Sequence, residues 1–216
     1  MSSNYQILIQ KLDAFIRKYY KNRLLKGGIY SLALLLGLFV LLTTIEYFAQ
    51  FNTTGRTVIF YSFFAAAAYI LVQYIFIPIS KLYKFGKVIN HEQAAEIIGL
   101  HFAGVKDKLT NVLQLQEMSQ NFDNQLVIAG IDQKSIELKP VPFTDAVNLK
   151  ENLKHLKFAA IPLFLVLFIS IFSPSVFKVG TNRLINYNTE IKPVAPFQIN
   201  ISNEKLIVLK NKEFEL

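Results

Sequence analysis

Few residues in this chain have the type and spacing to do chemistry. His91, Glu92, Glu96 and His101 fall in one short stretch and carry metal-ligating side chains. Helical zinc sites use pairs such as His-x-x-x-His or Glu-x-x-His, which put both ligands on one face. Neither spacing occurs here, and His101 falls on an apolar stripe, so it reads as a core or interface histidine. Glu46 is the only acid near the interior of a long apolar stretch, where an ionisable side chain is a functional candidate by default. Its place at the end of that stretch, close to Gln50 and Arg56, favours an interfacial residue over a proton or ion ligand. Gln73 is the polar residue of the second stretch and a candidate helix–helix contact. The absence of cysteine excludes disulfides, thiol catalysis and thiolate metal sites. No glycine-rich phosphate loop and no nucleophile elbow is present. The residues therefore point to a non-enzymatic protein with no catalytic residues, no cofactor and no metal.

The elements that would position these residues are set by hydropathy. Segments 27–45, 57–80 and 158–177 carry no charged residue, and a helix of about 20 apolar residues crosses the ~30 Å hydrocarbon core of a bilayer. The expected fold class is an α-helical membrane protein. It has three transmembrane helices, a small cytoplasmic helical domain, and then the start of an extracytoplasmic β-domain. The first span is too long, and too far from the N-terminus, for a cleaved signal peptide.

The net charge of +8 invites a nucleic-acid reading, but the cations sit at span ends. Lys11, Arg17, Lys18, Lys21, Arg23 and Lys26 precede the first span, and Lys81, Lys84 and Lys87 follow the second. That is the pattern of the positive-inside rule. It predicts a cytoplasmic N-terminus, a C-terminus on the far side of the membrane, and no nucleic-acid partner. Lys150, Lys154 and Lys157 hold the inner end of the third span, and Lys178 and Arg183 beyond it weaken the asymmetry without reversing it.

Five segments follow. Residues 1–26 form a basic amphipathic helix whose stripe of Leu8, Leu12, Phe15, Ile16 and Tyr19 is expected to lie in the lipid headgroup layer, the alternative being a simple cytoplasmic extension of the first span. Residues 27–80 form a transmembrane hairpin, 27–49 and 57–80. Residues 81–157 form a helical insert. It opens with a cap at Asn90 and Gln93, breaks at Gly104, restarts near Asp107 and again near Asp123, and continues after the Lys139–Pro142 break with a helix capped by Thr144 or Asp145. Residues 158–177 form the third span, kinked at Pro162. Residues 178–216 read as a linker and an incomplete β-domain, because Phe197, Ile199 and Ile201 alternate with polar residues. With too few strands to close a sheet, the chain reads as the N-terminal part of a longer protein.

Small residues predict where the hairpin packs: Ala33 and Gly37 on the first span face Ala65, Ala66, Ala67 and Ala68 on the second. The insert is too small to bury all its leucines. Ile97, Ile98, His101, Phe102, Leu109, Leu113 and Leu126 are therefore the expected surface for a protein partner.

The segment from His91-Glu-Gln-Ala-Ala-Glu-Ile-Ile-Gly-Leu-His through Asp107-Lys-Leu to Leu115 resembles a stretch in large bacterial inner-membrane proteins of a domain-of-unknown-function family, common in Bacteroidota. The hairpin before it and the span after it match that layout. The resemblance implies a long periplasmic portion and association with MoxR-type ATPases and von Willebrand factor A proteins. The function expected is an inner-membrane anchor or scaffold subunit that couples the cytoplasmic insert to a periplasmic partner-binding region of an envelope complex. Its partners would be the lipid bilayer and other membrane or periplasmic proteins, a MoxR-type ATPase among them. A component of a transport or transmembrane signalling machine is the alternative.

Overall fold

The computed structural model describes residues 3–83, 85, 88–119 and 125–191. Among them the chain is helical and contains no strand. Helix α1, Ser3–Ala49, is a single element of 47 residues. No proline interrupts it, and its three interior glycines, at about 1 kcal/mol each, do not outweigh a run rich in Leu, Lys and Arg. The chain reverses at Gln50, which takes a left-handed φ of 47°. Asn52 then caps α2, Thr53–Leu71, by accepting the amide of Gly55 at 2.9 Å. A π-helical turn, Val72–Phe76, joins α2 to α3, Ile77–Leu82.

The insert contains α4, His91–His101, α5, Val105–Ser119, and α6, Gln125–Leu138. Asn90 and Gln93 form the expected reciprocal capping box at the start of α4. Gly104, at φ 74°, supplies the left-handed turn between α4 and α5. The expected helix from Thr144 is replaced by two 3-10 turns, Phe143–Ala146 and Leu149–His155. The Asn148 side chain accepts the Lys150 amide and restarts the chain between them. Helix α7, Leu156–Phe172, follows.

The third span ends at Phe172 rather than residue 177. Ser173 leaves the helical region, with φ −146° and ψ 64°, because a following proline crowds the α conformation. Pro174 then opens a new helix, α8, Pro174–Ile185. This corrects the linker expected from residue 178; the strands expected from Phe197 onward lie outside the described residues.

Ser3–Ala49, Thr53–Leu82 and Phe143–Phe172 are each long and apolar enough to cross a membrane. Their apolar stretches are scarcely buried within the protein, and Leu32, Leu41, Val58, Phe64, Phe164 and Ile171 face outward. An all-helical exterior of this kind suits lipid as solvent, since every backbone polar group is satisfied inside its own helix.

Helix α1 is the centre of the fold: α2, α3, α4, α6, α7 and α8 all pack on it. The apolar stripe of its first half is covered by protein. Tyr5, Leu8, Leu12, Phe15, Ile16 and Tyr20 are buried in one core with Ala94, Ala95, Ile98, Leu109, Val112, Ile131, Leu138 and Phe143. Burying each large apolar side chain contributes about 1.5–3 kcal/mol, and protein covers this stripe where lipid was expected to. The insert is thus completed by α1 itself.

The helix crossings also differ from expectation. A side chain on Gly37 would meet nothing within 4 Å, and Ala65 and Ala68 are exposed. The close approaches are Gly27 against the Tyr74 carbonyl, and Gly180 against the Thr43 carbonyl, where an added Cβ would sit 2.5 Å from the oxygen. The π-turn and α8 set these points; neither element is visible in a small-residue count.

Candidate functional site

The end of the spans opposite the insert holds the most concentrated electrostatics of the fold. The last turn of α1 brings Glu46, the first turn of α2 brings Arg56, and the last turn of α8 brings Arg183. All three are buried, Glu46 completely at 0% exposure. Arg183 Nε donates to Glu46 Oε1 at 2.8 Å, and Arg183 Nη2 donates to the Phe51 carbonyl at 3.3 Å. Arg56 Nη1 donates to the Asn186 carbonyl at 3.1 Å and Nη2 to the Thr189 carbonyl at 2.8 Å. These carbonyls lie just past the C-terminus of α8, where the helix dipole favours a cation.

The local geometry follows from spacing. Val176, Gly180 and Arg183 share the buried face of α8, so Gly180 lets the helix close on Thr43 and Arg183 then reaches Glu46 one turn further along α1. Among the described residues, Glu46 Oε2 and Arg56 Nε have no hydrogen-bond partner. An adjoining cavity of about 250 Å³ is lined by Gln50, Asn52, Arg56, Arg183 and Glu190, among others. Two guanidinium groups face one buried carboxylate, Glu46, with Glu190 at the cavity wall. The chemistry of the cluster is that of a structural clasp joining α1, the hairpin turn and α8.

A second polar array runs along the other half of α1. Asn4 donates to Asp132 at 3.0 Å. Lys11 donates to the carbonyls of Lys139, at 2.5 Å, and Val141, at 2.8 Å, and Lys18 to that of Thr144 at 2.9 Å. Asn22 accepts from Asn152 at 2.6 Å, and Tyr30 shares a hydrogen bond with His155 at 2.9 Å. The array ties α1 to the end of α6 and to both 3-10 turns. Burial lowers the Lys11 ammonium from its ordinary value of 10.5.

Comparison with known proteins adds no identity. No protein-family model, curated protein or solved structure matches this chain.

The residues singled out from sequence are dispersed. His91 hydrogen-bonds Asp13 at 3.1 Å, while His101 is exposed against the ring of Phe102. Among the described residues no three His, Asp or Glu side chains gather at metal-ligating range. Gln73 lies on the π-turn at the insert end of the spans and is exposed. Of the expected partner surface, Ile98 and Leu109 are fully buried in the core, and Ile97, Phe102 and Leu113 pack partly against it. His101 and Leu126, the latter 82% exposed, lie at the surface.

Arg183 is the residue sequence reasoning missed. The available signal was Ser173-Pro174 followed by Val176, Gly180 and Arg183 at helical spacing, which marks a new amphipathic helix carrying a cation toward the acid at Glu46.

Proposed function

We propose that this chain is a membrane anchor and scaffold in the bacterial inner membrane, holding a cytoplasmic helical domain at a fixed position relative to periplasmic segments. One observation carries the reading: α1 is a single helix of 47 residues, buried in the insert core at one end and clasped through Glu46 at the other. At 1.5 Å per residue such a helix spans about 70 Å, enough to cross the bilayer and project well beyond it. The N-inside orientation draws on the cations flanking the first span and on Lys81. The resemblance of the 91–115 segment points to a MoxR-type ATPase as the class of cytoplasmic partner.

Crosslinking mass spectrometry on native membranes tests this. Crosslinks from Lys106, Lys108 and Lys134 to a cytoplasmic protein, and from Lys178 to a periplasmic one, are expected. A protein that crosslinks only to itself would refute the scaffold. Cysteines placed at Ser119 and Asn203 test the orientation, and labelling of both from one side would refute it.

A further inference from the structure

We propose that the cavity between α1 and the π-turn–α3 segment binds the phosphate-bearing headgroup of an anionic phospholipid. The cavity measures about 340 Å³, within the range of small-ligand sites. Its walls have a definite origin. Tyr20, Arg23, Gly27 and Tyr30 recur on one face of α1, and Gln73, Ile77 and Lys81 recur opposite them. Gly27 admits the Tyr74 backbone, and the π-turn at Val72–Phe76 displaces the helix locally. Such π-insertions are frequent at functional sites.

The lining chemistry is one-sided. Arg23, Lys26 and Lys81 contribute three cations, and among the described residues no carboxylate lines the cavity. Among the described residues, none of the three forms an ion pair. Two of them face rings: Arg23 lies 5.7 Å from the Tyr19 centroid and Lys26 lies 5.9 Å from that of Tyr30. The Tyr20 hydroxyl accepts the Ile89 amide at 3.1 Å, which leaves its own proton to donate. Cations, hydroxyls and the Gln73 amide without an acid are the donor set for a phosphate oxyanion.

Position distinguishes lipid from a soluble phosphate. The cavity lies where the uncharged stretches begin at Gly27 and end at Lys81, which is the level of the headgroups for spans lying in lipid. Ile77 and Pro78 add apolar surface to its wall beside the cations. Basic pockets between spans on the cytoplasmic side are a recurrent headgroup site. The inference rests on the spans lying in lipid and is independent of the scaffold reading.

The test is native mass spectrometry of the full chain released from nanodiscs of phosphatidylglycerol in phosphatidylcholine. Wild type is expected to retain phosphatidylglycerol selectively. Each cation removed should weaken binding about fivefold, so K26Q/K81Q should lose about 25-fold. The variant K150Q/K157Q, with cations at the same end of the third span but outside the cavity, should retain the lipid. Equal loss from both variants would reduce the effect to general surface charge and overturn the site. Displacement by inorganic phosphate would overturn the lipid assignment in favour of a soluble ligand. Failure of the chain to enter nanodiscs at all would count against the membrane reading and would be seen separately, before any lipid is scored. Unchanged helicity and melting temperature of K26Q/K81Q would exclude misfolding as the cause of its loss.

Discussion

Removing Glu46 is the most demanding perturbation the fold offers. Its carboxylate is fully buried and bonded to Arg183 Nε at 2.8 Å, with Arg56 buried beside the end of α8. Glu46→Ala leaves two buried guanidinium groups with no acid among them. Removing one partner of a buried pair costs about 3–5 kcal/mol, whereas replacing both partners with apolar residues of similar volume is often neutral or stabilising. Each kcal/mol lowers the melting temperature of a chain this size by about 2–4 °C. The expected drop for Glu46→Ala is therefore roughly 6–20 °C in detergent micelles, and Arg183→Ala should behave similarly. Glu46→Leu combined with Arg183→Met should recover most of the loss, since Arg56 stays satisfied by backbone carbonyls. The assay is a double-mutant cycle on thermal melts, with Glu46→Leu and Arg183→Met made singly and together. Additive losses, with no coupling between the two positions, would show that the pair is incidental and that α8 is held by Gly180 packing alone.

Three further outcomes follow from the same geometry. Leu12→Ala and Phe15→Ala should each cost about 2–5 kcal/mol and raise amide hydrogen exchange across 91–138; unchanged exchange there would return the stripe to the lipid. Gly27→Ala and Gly180→Ala, which drive a Cβ into the carbonyls of Tyr74 and Thr43, should each lose about 1–3 kcal/mol. Gly37→Ala, with open space around it, should be neutral or slightly stabilising on propensity, and the three melting temperatures ranked otherwise would refute the crossings. Burial depresses Lys11 below 10.5, so the unfolded chain holds this proton more tightly than the folded one. Stability should rise with pH through the window just under 10.5, and Lys11→Met, compared by denaturant titration across that window, should lose this increment.

The legible parts of the fold were those coded locally. Uncharged apolar length marked the spans, and Asn90 with Gln93 marked the start of α4 because a capping box is written within four residues. The stripe of Leu8, Leu12 and Phe15 showed that one face of the N-terminal helix needed cover, but periodicity cannot say whether lipid or protein supplies it. The answer depended on Ile98, Leu109 and Leu138, about a hundred residues away, whose own surplus was assigned to an outside partner. Two complementary faces were read as two unrelated ones. The end of the third span failed for a different reason: Val176 and Phe177 extended the apolar count past Ser173-Pro174, although the proline was the stronger signal.

The charge cluster also changes what the positive-inside argument counts. Lys178 and Arg183 follow the third apolar stretch in sequence and weigh against a periplasmic C-terminus when counted as free cations. In the fold Arg183 is neutralised by Glu46, and Arg56 is bound to the carbonyls beyond α8. Among the described residues at that end, Lys178 is left exposed and without an ion pair. At the other end Arg17, Lys21, Arg23 and Lys26 are exposed and unpaired. The asymmetry presented to the membrane is therefore steeper than the sequence count. The same clasp that fixes α8 neutralises Arg183, one of the two cations that argued against the orientation, so Glu46→Ala should weaken topology as well as stability. Cysteine labelling at Ser119 in that variant would report the change as a mixed population.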